Sequence, residues 1–207
     1  MSGDEVFNFV MMTLVDFSDP GLLILPPHRL VRGISKSTLD ELGAKLEALF
    51  EIEKLPLSMP GVWQKVDDLL TGVKPGETNQ VRLVLFGLAA EHLLVLKLRD
   101  PAAASRMIPY FHSELYKSLD VSIIDHIILE ELLGLGSGRE EARIAYGYDK
   151  QEAVNRVLDQ EYQLTFLVNP VKPEVVKAIA DAGDRMPRKS TYFYPKPPAG
   201  LVFHRLE

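Results

Sequence analysis

The apolar positions of this chain recur at two periods, and each change of period marks an element. Residues 6–17 (VFNFVMMTLVDF) are rich in β-formers and end at a turn signature, Ser18-Asp19-Pro20-Gly21. Residues 22–31 (LLILPPHRLV) read as a second strand, so the two are expected to form a hairpin. Pro26 and Pro27 donate no ladder hydrogen bonds, which makes this strand an edge or breaks it before His28-Arg29. From 37 to 50, Leu39, Leu42, Leu46, Leu49 and Phe50 recur at helical spacing, with Ser37 as candidate N-cap. A short strand at 50–55, a short helix at 61–71 and a loop at 71–79 follow. Residues 81–88 and 92–99 read as a second hairpin around Ala89-Ala90-Glu91.

A long helix is predicted at 120–133. Asp120 is its candidate cap, Val121, Ile124, Ile128 and Leu132 its buried stripe, and the glycines from Gly134 to Gly138 its end. The last third changes character. A strand at 143–148 leads into a capping-box-like Asp149-x-x-Glu152 and a helix to about 159. A strand at 163–168 and a helix opened by Pro173 and closed by Gly183 come next. This β-α-β-α order favours parallel pairing with helices against the sheet, and 201–205 is read as a final strand. The expected fold is therefore α/β (α+β) with a mixed sheet. It forms one globular unit over 1–207, made of a hairpin and helix lobe (1–138) and a β-α-β-α lobe with a basic tail (139–207).

Composition narrows the function. At 207 residues, 46% hydrophobic and 25% charged, the chain is long enough for one sizeable core and is not disordered in character. A net charge of −6 argues against sequence-independent binding to a nucleic-acid polymer, which needs broad positive surface. Cysteine is absent, which removes disulfides, thiolate metal sites and cysteine nucleophiles. No segment is apolar over the roughly 18–20 residues a bilayer span needs, so no membrane partner is expected. The first residues lack the basic start of a signal peptide, and a cytoplasmic location is expected.

The candidate chemistry gathers in the tail. Arg185, Arg188, Lys189 and Lys196 stand there with no carboxylate between Arg185 and Lys196, and Ser190 and Thr191 add hydroxyl donors. Concentrated positive charge with hydroxyls suits phosphate or carboxylate, so a small anionic ligand or nucleotide is the expected partner. The competing reading is a solvated basic loop on an acidic surface. The run Gly183 to Ser190 approaches a phosphate loop, but Arg188 stands where the second glycine belongs and a helix precedes it, so the match is rejected. Tyr192, Phe193 and Tyr194 either stack on a ligand ring or pin a strand into a core.

His28-Arg29, at the strand break, is the second candidate, read either as a pocket-mouth pair with His28 for proton transfer or as an exposed edge pair. Asp125, His126 and Glu130 make half a metal site at most, and no metal is expected. Asp149 is read as a helix cap. His92, His112 and His204 are isolated and are assigned no role.

Taken together, ILPPHRLVRG (24–33), LDVSIIDHIILEELLG (119–134), FLVNP (166–170) and AGDRMPRKSTYFYPK (182–196) resemble the bacterial and archaeal family called domain of unknown function 1015. The resemblance is to the carboxy-terminal half of proteins about twice as long. Those proteins carry upstream an Asp-Gly-His-His-Arg motif like that of ParB and sulfiredoxin-like serine kinases. The resemblance implies ATP-dependent phosphorylation of free serine or a similar metabolite, with ATP and Mg as cofactors. It also implies that the chain is inactive alone and completed by a missing amino-terminal half or by self-association. On it, Lys189, Ser190 and Thr191, with Arg185 or Lys196, contact phosphates or the substrate carboxylate, and His28 and Arg29 line the same pocket. Pro27, Arg188 and the Pro197-Pro198 pair depart from the family pattern. The alternative function is a non-catalytic ligand-binding or assembly module.

Overall fold

The computed structural model describes residues 14–71, 81–136 and 142–196, together with residues 8, 12, 198 and 200. Its strands are β1 (Leu23–Leu25), β2 (His28–Val31), β3 (Phe50–Pro56), β4 (Arg82–Phe86), β5 (His92–Leu98), β6 (Ile144–Gly147), β7 (Leu164–Leu167) and β8 (Tyr192–Tyr194). Its helices are α1 (Lys36–Leu49), α2 (Val62–Thr71), α3 (Pro101–Met107), α4 (Glu114–Lys117), α5, α6 (Lys150–Leu158) and α7 (Pro173–Asp181). Helix α5 opens as an α-helical turn, Asp120–Ser122, and continues as π-helix over Ile123–Leu132.

Six strands form one sheet in the order β3-β5-β4-β7-β2-β6, and every pairing in it is antiparallel. The α/β class is as expected, and strands from 1–138 and 139–207 share this sheet. The expected parallel pairing does not form, because β2 inserts between β6 and β7 and runs against both. The proline pair does break the 22–31 strand. Leu23–Leu25 leaves to pair with β8 in a separate ribbon, while His28–Val31 joins the main sheet in an interior position. Residues 14–17 carry no strand, so they make no hairpin with 22–31. The rest of the 6–17 expectation, most of the 71–79 loop and the 201–205 strand lie outside the described residues.

Strand alternation gives the sheet two apolar faces. On one face Val31, Leu83, Leu85, Leu96, Ile144 and Phe166 pack against α1, α3, α5 and α7 through Leu42, Leu46, Ala104, Ile124, Ile128 and Ile179. On the other, Leu30, Val84, Phe86, Val95 and Leu167 pack against α2 and α6 through Val62, Val66, Ala153 and Val154. The result is a three-layer sandwich. Its close contacts are tight at Gly87, where φ is +107° and an added Cβ would overlap the carbonyl oxygen of Gln163.

Two caps differ from expectation. Ser35, two residues before the expected Ser37, accepts from Thr38 N at 3.2 Å and caps α1. Asp120 caps nothing. Its Oδ1 takes the N–H of Val121 (2.7 Å) and its Oδ2 that of Asn169 (3.0 Å), tying α5 to the end of β7. Asp149 does cap α6, accepting from Glu152 N at 2.8 Å.

Candidate anion site

The break at Pro26-Pro27 sets the geometry of β2. Proline carbonyls keep their acceptor capacity where the ladder is interrupted, and Pro27 O receives Nη1 of Arg29 at 2.8 Å. The remaining edge of that guanidinium forks onto Asp125 of α5, Nε to Oδ1 at 3.2 Å and Nη2 to Oδ2 at 3.1 Å. Arg29 is wholly buried, and this bidentate pairing is what makes a buried cation tolerable. Burial pushes the Asp125 carboxyl above its ordinary range, and Arg29 opposes that push.

His28, one residue earlier, lies on the other side of the sheet. Adjacent strand residues point to opposite faces, so Arg29 shares a face with Val31 and His28 with Leu30. The expectation that His28 and Arg29 line one pocket therefore fails, and so does the exposed edge-pair reading. His28 is only 3% exposed, and its Nδ1 accepts from Val168 N at 3.2 Å. Burial lowers its pKa to about 4, with Lys150 and Arg29 adding to the effect and Asp149 opposing it. It is a neutral interior group at physiological pH.

The tail returns to the Arg29 face. Helix α7 ends in a Schellman arrangement, with Gly183 at φ +71° and N–H bonds from Gly183 to Ala180 O and from Asp184 to Ile179 O. Beyond it Pro187 is buried and Ser190 Oγ donates to Pro187 O at 2.5 Å, closing a turn that leaves Arg188 and Lys189 exposed. Lys189 holds φ +54°, a left-handed conformation that costs a side-chain-bearing residue roughly 1–2 kcal/mol. Its Nζ lies 5.8 Å from the centre of the Tyr146 ring, and Cζ of Arg29 lies 5.7 Å from the same centre. Tyr146 is the register partner of Arg29 on β6.

The other candidates are distributed less evenly. Arg185 is exposed and gives its backbone N–H to Asp184 Oδ1. Ser190 is buried, with its hydroxyl engaged as above, and Thr191 is half-buried. Lys196 is exposed with Nζ 4.6 Å from the Tyr192 ring, which lies 4.2 Å from Tyr148. The β8 rings are half-buried or exposed: Phe193 stacks on Phe17 at 6.2 Å, and the β1–β8 ribbon (Leu23↔Tyr194, Leu25↔Tyr192) fixes their direction. Among the described residues, no carboxylate pairs with Arg185, Arg188, Lys189 or Lys196. These cations fit a phosphate-bearing group. Among the described residues no three or more His, Asp or Glu side chains are grouped as they would be around a metal ion. A hollow of about 420 Å³ lined by Glu51, Glu53, Leu69, Arg82 and Lys97 lies at the β3-β5-β4 end of the sheet, away from the tail.

Sequence reasoning missed Asp125 as the partner of Arg29. The available signal was a lone carboxylate inside the apolar run Ile123–Leu129, where burial demands a counter-charge. It also missed His112, Tyr116 and Asp184, which converge from distant segments without any sequence signature.

The molecule is thus a three-layer α/β protein with a basic tail, free of carboxylates between Arg185 and Lys196, anchored beside a buried arginine–aspartate pair. It belongs to the family described as protein of unknown function (DUF1015), whose sequence model matches residues 1–122. No curated protein matches it. Solved structures that resemble it include a conserved hypothetical protein from Pyrococcus furiosus, at 16% identity and TM-score 0.47, covering 90% of this chain and 62% of that one. They also include free serine kinase in complex with AMP, at 13% identity and TM-score 0.46, covering 87% and 57%. A mutant of free serine kinase in complex with ADP matches at 15% identity and TM-score 0.41, covering 87% and 57%. The chain spans 57–62% of the length of these structures. No helix among the described residues is long and apolar enough to cross a membrane.

Proposed function

We propose that this chain supplies the anion-binding wall of a kinase-like protein that phosphorylates free serine or a similar small metabolite, with ATP as the phosphoryl source. The observation that carries this reading is the Lys189 turn. A cation without a carboxylate partner among the described residues is held in a costly backbone conformation by a buried hydroxyl and a buried proline. Strain retained beside exposed charge is the pattern of a site rather than of a solvated loop. Lys189, with Arg188 or Arg185, contacts phosphate oxygens, and Lys196 with the Tyr148–Tyr192 ring pair borders the same tail. Arg29 is a positioning residue: neutralised by Asp125, it supports Tyr146, on which Lys189 rests. Residues 1–207 act as one unit, and further catalytic groups come from outside them.

The test is calorimetric titration of ADP into the chain. Lys189→Ala is expected to weaken binding by about tenfold, the worth of one charge-assisted contact. Unchanged affinity in both Lys189→Ala and Arg188→Ala removes the assignment. A second reading, an assembly module, is favoured by one observation: Tyr110 and Phe111 are 92% and 70% exposed on the α3–α4 turn. Concentration-dependent association lost in Tyr110→Ser, with no ADP binding, supports that reading instead.

A further inference from the structure

Two histidines that the anion site does not use are each held by a carboxylate through Nδ1, on either side of Tyr116. His126 Nδ1 meets Glu130 Oε2 at 2.9 Å, and its Nε2 meets the Tyr116 hydroxyl at 3.1 Å. Burial, and then Asp125, Asp184 and Glu130, raise the Tyr116 pKa to about 12, so the phenol keeps its proton and donates it to His126. Both nitrogens of His126 are therefore engaged.

His112 differs. Its ring lies flat on Tyr116, 3.7 Å between centroids and 2° between planes, and 6.0 Å from His126. Its Nδ1 meets Asp184 Oδ1 at 3.1 Å. Burial acts to raise the Asp184 pKa, but hydrogen bonds from Ser113 N (2.8 Å), Arg185 N (2.7 Å) and His112 outweigh it and hold it at about 2. An ionised Asp184 only accepts, so Nδ1 carries the hydrogen and Nε2 carries the lone pair. Among the described residues Nε2 has no hydrogen-bond partner, and the side chain is 15% exposed. Of the two carboxylate-held imidazoles, one is closed and the other open.

We propose that His112 and Asp184 form a proton-transfer site acting on the hydroxyl of a small anionic molecule held by the neighbouring Arg185. The hydroxyl O–H bond breaks, the proton moves to Nε2, and oxygen keeps the electron pair for bonding to an electrophile. Asp184 fixes the tautomer and stabilises the imidazolium that results. The electrophile rests on the kinase reading above: the terminal phosphoryl group of a nucleoside triphosphate, whose bond to the diphosphate breaks. The Schellman turn at Gly183 places Asp184 and starts the basic tail, so one backbone device sets the base and the cations together. Of the charged or titratable groups here, Tyr116 from α4 and Asp184 from the tail touch His112, His126 from α5 lies 6.0 Å away, and Asp125 and Glu130 from α5 act on the Tyr116 ring against which it stacks.

The experiment is site-resolved carbethoxylation of the 207-residue chain by diethyl pyrocarbonate, which attacks a neutral imidazole lone pair, followed by mass spectrometry from pH 5 to 8. His112 is expected to react about tenfold faster than His126 or His28, and to lose most of that advantage in Asp184→Asn, where an ionised acceptor no longer fixes the hydrogen on Nδ1. O-phospho-L-serine is expected to slow His112 several-fold and leave His92 unaffected. A His112 rate no greater than that of His126 in the unmodified chain overturns the proposal, and needs no variant to fold. A fast His112 that O-phospho-L-serine does not protect, in a chain whose ADP binding depends on Lys189, also overturns it. A fast, Asp184-dependent and protected His112 with ADP binding indifferent to Lys189 supports the dyad and sinks the kinase reading.

Discussion

His28 and Arg29 are neighbours in sequence, both are basic and both are buried, yet the two faces of the sheet accommodate them by opposite means. The α5 face keeps Arg29 charged and provides a bidentate carboxylate and a proline carbonyl. The α2–α6 face gives His28 one backbone donor and leaves it neutral. The difference follows from the groups themselves. A guanidinium cannot shed its proton at any accessible pH, so it has to be paired, whereas an imidazole escapes the cost of burial by deprotonating. A buried basic residue is thus evidence of a function only after its protonation state is known.

The largest expected effect tests the paired side. Arg29→Met leaves Asp125 without its partner, and breaking a buried pair from one side costs about 3–5 kcal/mol. Urea unfolding should show that loss, while Arg29→Met with Asp125→Leu should recover at least half of it. If the double variant is as unstable as the single, the cost lies in packing around Tyr146 and Phe166 rather than in the stranded carboxylate.

The next effect tests the neutral side. His28 has a folded pKa of about 4 against an ordinary 6.5, so protons bind preferentially to the unfolded chain between those values. Its contribution is complete above pH 6.5, is lost as pH falls towards 4, and is constant below that. About 2.5 units correspond to roughly 3 kcal/mol. Asp184, held at about 2, acts in a separate window, losing its contribution as pH falls from the ordinary carboxylate range towards 2. Asp120 and Asp125, raised by burial, act in the opposite sense. The stability difference between the native chain and His28→Gln isolates the His28 term. A difference independent of pH from 7 to 4 would mean that His28 takes up its proton as readily in the folded chain as in the unfolded one.

Much of this architecture was legible locally. Helical periods located α1 and α5, cap, proline and glycine signals located α6 and α7, and the proline pair announced the break that separates β1 from β2. The caps at Asp149 and Gly183 follow from short-range hydrogen bonding. Strand partnership was not legible, because β2 pairs with segments more than a hundred residues later and nothing in His28–Val31 names them. The face of each basic residue followed from strand period alone once β2 was confined to 28–31, since adjacent residues point apart. The His112–Asp184 contact joins positions 72 apart and depends on how α4 and α7 meet the sheet.

The smallest effect sharpens the comparison at the protein surface, where Lys189 belongs to the Arg29 face but is exposed. Its φ of +54° disfavours any residue with a Cβ, so Lys189→Gly relieves strain worth about 1 kcal/mol, partly offset by the greater freedom of glycine in the unfolded chain. Lys189→Ala keeps the Cβ and hence the strain, and loses the ammonium resting on Tyr146. The ordering expected in thermal unfolding is Gly above Lys, and Lys at or slightly above Ala, while both variants lose affinity for ADP equally. Stability and binding would then move apart in Lys189→Gly alone, as expected where a strained conformation is kept for the charge it presents. If Lys189→Gly is instead less stable than the native chain, the contact with Tyr146 outweighs the strain. The lysine then belongs to the structure of the tail, and the anion-site reading loses the observation it stands on.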